Sequence, residues 1–355
     1  MAGLVPVSQW GLFPDGDRPF VVAGPCSAES REQVLESAAA LKAAGVGVLR
    51  AGLWKPRTHP GGFEGVGAAG LAWLLEAREL TGMKICTEAG SAQHVRACLK
   101  AGVDLLWIGA RTTANPFQVQ EICDVLQGTD IPVLVKNPVS PDLDLWIGAI
   151  ERLQAAGIGK IAAVLRGFTT LEKTPFRNAP VWEMSTHLRT RLKDLPFFVD
   201  PSHIAGDVKY IKELSQRALD LGACGLMIEV HPKPQEALSD SAQQLTPAQF
   251  TRLKSSLKVR SAVSSDESFS SNLEMLRSGI DDIDSRLLSL LEERMRVSRS
   301  IGSLKKEYGI SILQTGRWEA VMDRLRKEAD AIGVDKSMVE KIFSIIHDYS
   351  VKVQE

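Results

Sequence analysis

The chain has 355 residues with 42 basic and 43 acidic side chains, a net charge of -1, so the totals favour small-molecule substrates and give no reason to expect nucleic acid or an anionic membrane surface. Its five cysteines (Cys26, Cys86, Cys98, Cys123 and Cys224) are odd in number and unpaired in spacing, which fits reduced thiols rather than a disulfide framework. The opening MAGLVPVSQWGLF lacks a signal-like basic stretch and apolar core, and no run approaches the roughly 18 apolar residues of a membrane span, so the expected location is the cytoplasm, with no membrane and no nucleic acid as partner.

From residue 20 onward, short apolar runs alternate with longer amphipathic segments, as in a parallel sheet with crossover helices. Candidate strands are FVVAG at 20–24, GVLRAG at 47–52, KICTEA at 84–89, LLWIGA at 105–110, PVLVK at 132–136, IAAVLRG at 161–167, FFVD at 197–200 and GLMIEV at 225–230. Several intervening segments end in glycine, at Gly45, Gly102, Gly157 and Gly222, as helix ends prefer. Eight strand-helix units over about 240 residues suggest a (β/α)8 TIM barrel, with a doubly wound open sheet as the structural alternative.

Near Lys258 the texture changes. KVRSAVSSDESFSSN is polar and serine-rich without apolar period and reads as an exposed linker. Beyond it Leu273, Leu276, Ile280, Ile283, Leu287, Leu290, Arg294, Val297, Ile301 and Leu304 recur at three-four spacing. They imply one helix of about 35 residues whose heptad-like seam calls for another helix, followed by helices near 315–331 and 335–353. The expected organisation is an α/β barrel at 1–258, a linker at 259–271 and a separate all-α domain at 272–355.

Arg50, Lys55, Arg57, Arg111, Lys136 and Arg166 all lie at or just after candidate strands, and the carboxyl ends of barrel strands form the active face. So many cations at one mouth suit phosphorylated substrates. Cys26, His203, Glu229 and Asp240 fall at the same ends, and thiolate, imidazole and carboxylate together suit a divalent transition metal. For each residue alone a plainer reading stands: a rim charge in solvent, a small buried thiol, a loop acid.

These residues belong to GPCSAES at 24–30, KPRT at 55–58, GART at 109–112, VKNP at 135–138, RG at 166–167, DPSH at 200–203 and EVHP at 229–232. With them the segment 19–255 closely resembles the short-core 3-deoxy-D-arabino-heptulosonate-7-phosphate (DAHP) synthases. The resemblance implies condensation of phosphoenolpyruvate with erythrose 4-phosphate. Arg50, Arg111, Lys136 and Arg166 would hold phosphoenolpyruvate, while Lys55, Pro56, Arg57 and Thr58 would hold the sugar phosphate. Cys26, His203, Glu229 and Asp240 would bind a divalent metal, manganese being the first expectation, that polarises the aldehyde for attack by the enolpyruvate methylene. Lys55 and Glu88 are the catalytic candidates: Glu88 would orient the attacking water or else pair with one of the arginines. The sister 3-deoxy-D-manno-octulosonate 8-phosphate synthases are the nearest rival, and KPRT favours the erythrose enzyme.

In the tail, Arg294 stands on the apolar seam itself, where an unpaired guanidinium is costly, so it expects an anion. Lys305 follows eleven residues later on nearly the same face, about 16 Å along the helix. Arg277 lies 28 residues before Lys305, about 42 Å along a straight helix, and would reach the same pocket only from an antiparallel partner chain; otherwise it is a surface residue beside the seam. LRSGIDDID at 276–284, LLEERM at 290–295, LKK at 304–306, GRWE at 316–319 and DYSVKVQ at 348–354 resemble the all-helical chorismate mutases, which are intertwined dimers. The resemblance implies that Arg277 of the partner, Arg294, Arg317 and Ser350 bind carboxylates of chorismate or prephenate, while Lys305 and Gln354 contact the ether oxygen. Gln314 and Trp318 stand where many members carry acids, and Trp318 cannot imitate a carboxylate.

The tail is expected both to rearrange chorismate to prephenate and to report prephenate or chorismate to the barrel as an inhibitor, a purely regulatory sensor or a dimerisation module being the alternatives. Because the barrel pattern begins close to Met1, regulation is expected to act through the tail. The expected partners are therefore phosphoenolpyruvate, erythrose 4-phosphate and chorismate, with prephenate as inhibitor and a second copy of the chain.

Overall fold

The computed structural model describes residues 3–354 except 15, 17, 57–60, 172, 261–266 and 313–314, with Glu267 and Thr315 described by backbone alone. The chain divides into two units, Met1–Ala262 and Val263–Glu355.

In the first unit, eight parallel strands close into a barrel in sequence order. They are β1 (Phe20–Gly24), β2 (Val48–Arg50), β3 (Lys84–Glu88), β4 (Leu105–Ile108), β5 (Val133–Lys136), β6 (Ile161–Leu165), β7 (Phe197–Val199) and β8 (Gly225–Glu229). β1 pairs with β8 from Phe20 against Gly225 to Gly24 against Glu229, which completes the circle. The open-sheet alternative is therefore excluded.

Each strand is apolar on both faces because both faces are covered. Val21, Leu49, Ile85, Leu106, Val133, Ala163, Val199 and Leu226 face the surrounding helices. The alternating set, Val22, Val48, Cys86, Leu105, Leu134, Ala162, Phe198 and Met227, fills the interior with Val7, Trp10 and Leu12 from the N-terminal segment. Phe13 packs on Phe20 and Phe198, with ring centroids 4.9 and 6.5 Å away, so this segment floors the barrel at the end where strands begin. The helices start on the side chains that helix starts prefer. Ser30, Ser91, Asn115 and Asp142 each accept backbone N–H bonds, and Thr246 forms a capping box with Gln249; one such cap contributes about 1 kcal/mol.

The second unit contains helices Glu267–Glu307, Thr315–Ile332 and Lys336–Lys352. The first runs for 41 residues without interruption and begins inside the stretch read as linker. Its seam residues Leu276, Ile280, Ile283, Leu287 and Leu290 are more than half exposed in the single chain, whereas Met322, Leu325 and Ala329 of the second helix are buried. Among the described residues no helix is long and apolar enough to cross a membrane.

Candidate active sites

The interior alternation that packs the barrel also builds its mouth. Two residues beyond the last apolar interior position of each strand, the same inward direction falls on Gly24, Arg50, Glu88, Gly109, Lys136, Arg166, Asp200 and Glu229. The two glycines admit their neighbours: a Cβ on Gly24 would meet the Arg50 carbonyl at 2.0 Å, and one on Gly109 would meet Glu88 Oε1 at 2.1 Å. A polar ring thus caps an apolar barrel.

Above this ring lies a cavity of about 350 Å³ lined by Cys26, Arg50, Lys55, Pro56, Glu88, Arg111, Lys136, Arg166, His203 and Asp240 among others. It gathers members of all three barrel sets expected from the sequence: metal ligands, phosphoenolpyruvate cations and the sugar-end motif. Glu229, fully buried, lies just beneath. Arg57 and Thr58 lie outside the described residues.

Cys26, Glu229 and Asp240 bring one donor atom each to within 4.8 Å of one another. His203 lies outside this compact set. Its Nδ1 is 2.8 Å from Asp200 Oδ2 and 3.7 Å from Glu229 Oε1, so the imidazole is drawn toward Asp200. Asp240 holds φ +49°, a left-handed conformation that Asp tolerates better than most residues and that clusters at functional sites. A thiol and two carboxylates match the donor chemistry of a divalent transition metal. The Lys55 ammonium already sits against this set, touching Cys26 Sγ and lying 2.8 Å from Asp240 Oδ2.

Charge in the site is heavily coupled. Burial, then Glu229, pushes the Cys26 thiol up to about 12. Burial would raise Asp240, but Lys55, with Arg177 and His203, holds the carboxyl well below its usual range. Burial also opposes ionisation of Asp200, which His203 and Lys136 nonetheless hold well below the ordinary value. His203 is lowered by burial against the pull of Asp200.

Arg50, 1% exposed, donates to Glu229 Oε1 at 3.1 Å and lies with its guanidinium carbon 4.8 Å from the centre of the Trp107 ring, while its Nε and Nη1 have no hydrogen-bond partner. Lys136 Nζ is 2.8 Å from Asp200 Oδ2. Burial lowers the Arg166 guanidinium to about 10, with Asp200 opposing and Arg177 and Arg111 adding like charge. A desolvated cation beside other cations is a site that an anion relieves. Glu88 accepts from Trp107 Nε1 at 3.1 Å, a partner not expected from the sequence.

Several residues of the site were not singled out from the sequence. Asp200 joins Arg50, Lys136 and His203, and continuing the inward register from Phe198 by two would have found it. Asn137 and Asn178 carry no such periodic signal. Asn137 Oδ1 accepts from the Arg166 backbone at 2.7 Å, and Asn178 Oδ1 accepts from Arg166 Nη1 at 2.9 Å.

In the helical unit, Arg294 donates to Ser350 Oγ, and Gln354 Nε2 donates to the Ser350 carbonyl at 2.9 Å. The Gln354 Oε1 is buried without a partner. Three expected residues therefore meet. Lys305 instead donates to the Ile312 carbonyl at 2.5 Å. Arg317 is exposed, and Arg277 is exposed beside Glu274 at 3.9 Å. Trp318 stacks on His347 with centroids 4.1 Å apart; Gln314 lies outside the described residues.

Comparison with known proteins matches both units of the chain. The family model described as "DAHP synthetase I family" matches residues 8–264, and "Chorismate mutase type II" matches residues 276–355. A phospho-2-dehydro-3-deoxyheptonate aldolase of Thermotoga maritima is 35% identical over 67% of this chain and 68% of its own length. A 2-dehydro-3-deoxyphosphooctonate aldolase of Azoarcus sp. is 27% identical, over 68% of this chain and 91% of its own. The crystal structure of the Thermotoga DAHP synthase superposes with a TM-score of 0.60 at 36% identity, covering 66% of each chain. The chain thus spans about two thirds of that relative's length. Barrel, cavity and matches lead to one assignment: the chain belongs to the DAHP synthetase I family, with a DAHP synthase domain, a transferase, followed by a chorismate mutase type II domain, an isomerase.

Proposed function

We propose that the barrel condenses phosphoenolpyruvate with erythrose 4-phosphate and that the helical unit rearranges chorismate to prephenate. One observation carries the first reading: the compact Cys26, Glu229 and Asp240 set adjoins desolvated Arg166 at one cavity. Arg50, Arg111, Lys136 and Arg166 hold the phosphate and carboxylate of phosphoenolpyruvate. Lys55, with Pro56, Arg57 and Thr58, holds the sugar phosphate, the motif that favours erythrose over the longer sugar of the octulosonate enzymes. Cys26, Glu229, Asp240 and, after a ring rotation, His203 hold a divalent metal. When bound, that cation polarises the sugar aldehyde. Glu88, fixed by Trp107, orients the water that adds as phosphate leaves.

The mutase pocket needs neither nucleophile nor base. It holds the reactive conformer and its developing charge through Arg294, Arg317 and Ser350 at the carboxylates and Lys305 and Gln354 at the ether oxygen. Because the first helix is unbroken, Arg277 stays about 42 Å from Lys305 along its axis and comes to the pocket from a second copy, which covers the exposed seam. Feedback of prephenate on the barrel, in the cytoplasm, is the reading we favour for the fusion, since the two reactions share no intermediate.

Assaying both reactions on one preparation tests these assignments. Cys26→Ala should reduce the synthase to background and spare the mutase, while Arg294→Ala should lower mutase turnover about a hundredfold or more and spare the synthase. Chelation should silence only the synthase, with recovery on adding divalent metal. Loss of both activities from either folded variant would contradict separate sites.

A further inference from the structure

The turn that carries Asp240 also carries two adjacent glutamines, each about 1% exposed, one of which reaches the Glu229 carboxylate and the other the backbone of Cys26. Gln243 Nε2 donates to Glu229 Oε2 at 2.7 Å, while Arg50 donates to the opposite oxygen at 3.1 Å. Both oxygens of a fully buried carboxylate are thereby assigned a direction. The Gln243 carbonyl accepts from Arg177 Nη1 at 2.8 Å, and the same nitrogen donates to Asp240 Oδ1 at 3.0 Å. Asp240 Oδ2 is left turned toward Cys26 Sγ, 3.3 Å away. Gln244 Oε1 accepts from the Cys26 backbone N–H at 3.0 Å, and its amide donates to the Ser239 carbonyl at 2.8 Å.

We propose that Gln243 and Gln244, with Arg177, form a positioning clip that presets Glu229, Asp240 and Cys26 for a metal. The inference rests on the metal reading above. A clip is needed because Cys26 comes from the far end of the barrel sequence while Glu229 and Asp240 come from the last strand and the loop beyond it, and each donor must keep one direction although Arg50 and Lys55 also compete for the carboxylates. Neutral amides meet this need, since each both donates and accepts and so joins two groups without adding charge. Gln243 passes the position of Arg177 to Glu229, and Gln244 ties the Cys26 backbone to the residue before Asp240. Neither glutamine touches substrate, so both are positioning residues.

The experiment is a cobalt(II) titration of the full chain, read by chelator competition and by the thiolate-to-cobalt charge-transfer absorption, with thermal unfolding recorded for each variant. Gln243→Ala should weaken cobalt binding about 10- to 100-fold. Gln243→Glu keeps the side-chain length and the Arg177 contact but sets an acceptor against buried Glu229, and should weaken binding to a similar degree, with some loss of thermal stability from the opposed carboxylates. Gln244→Ala should mainly diminish the thiolate band, because it frees Cys26. If wild type binds cobalt and Gln243→Glu and Gln244→Ala match it within twofold with unchanged spectra, the clip is overturned alone. If wild type binds no cobalt, the metal reading fails and the clip with it.

Discussion

Gly109 has no side chain because Glu88 occupies that space, and this makes the position a sensitive probe of the barrel site. A methyl group there would lie 2.1 Å from Glu88 Oε1, so Gly109→Ala must displace the Glu88 carboxylate from its present position. We expect synthase turnover to fall about tenfold or more, with little change in the KM for phosphoenolpyruvate; unchanged turnover would remove Glu88 from the water-orienting role. At this scale much of the site was legible. Strand-end cations and Glu229 declare themselves by charge in an apolar context, whereas Cys26 and Asp240 gain meaning only from the motifs and strand ends they share with them. Asp200 stood in a recognised motif, yet its meaning emerges only when the inward register is followed past Phe198. Gln243 and Gln244 could not be read, because neutral amides in a loop look the same whether they hold a ligand or face solvent.

Among the elements, the barrel strands were readable because burial on both faces makes each a continuous apolar run, bounded by polar turns. The start of the long helix was not. Ser268, Ser270, Ser271 and Asn272 are weak helix formers, but a helix already nucleated by the following seam propagates through them at little further cost. Gly302 shows how closely elements of the helical unit meet: a Cβ there would lie 2.7 Å from Gln354 Cα and 2.9 Å from its Cβ. Gly302→Ala should push the C-terminal turn outward, carrying Gln354 off its position. Chorismate kcat/KM should drop about 10- to 100-fold, while the synthase assay is unaffected. A variant as active as wild type would show that Gln354 does not work from this packed position.

At the scale of the whole molecule, two compact units permit separate loss and joint control. Prephenate added to the synthase assay should inhibit the full chain but not a truncation ending near Lys258; an equal response in both would place the inhibitor's site in the barrel. The uninterrupted helix has a further consequence. If each mutase pocket draws Arg277 from one copy and Arg294 from the other, two crippled chains can repair each other. Mixing Arg277→Ala with Arg294→Ala chains, then allowing exchange, would give hybrids in which one pocket has both lesions and its twin has none. About a quarter of all pockets would then be intact at equal mixing, and activity would appear where neither parent has any. A mixture as inactive as its parents would mean that each pocket is complete within one chain, despite the length of the rod that separates its parts.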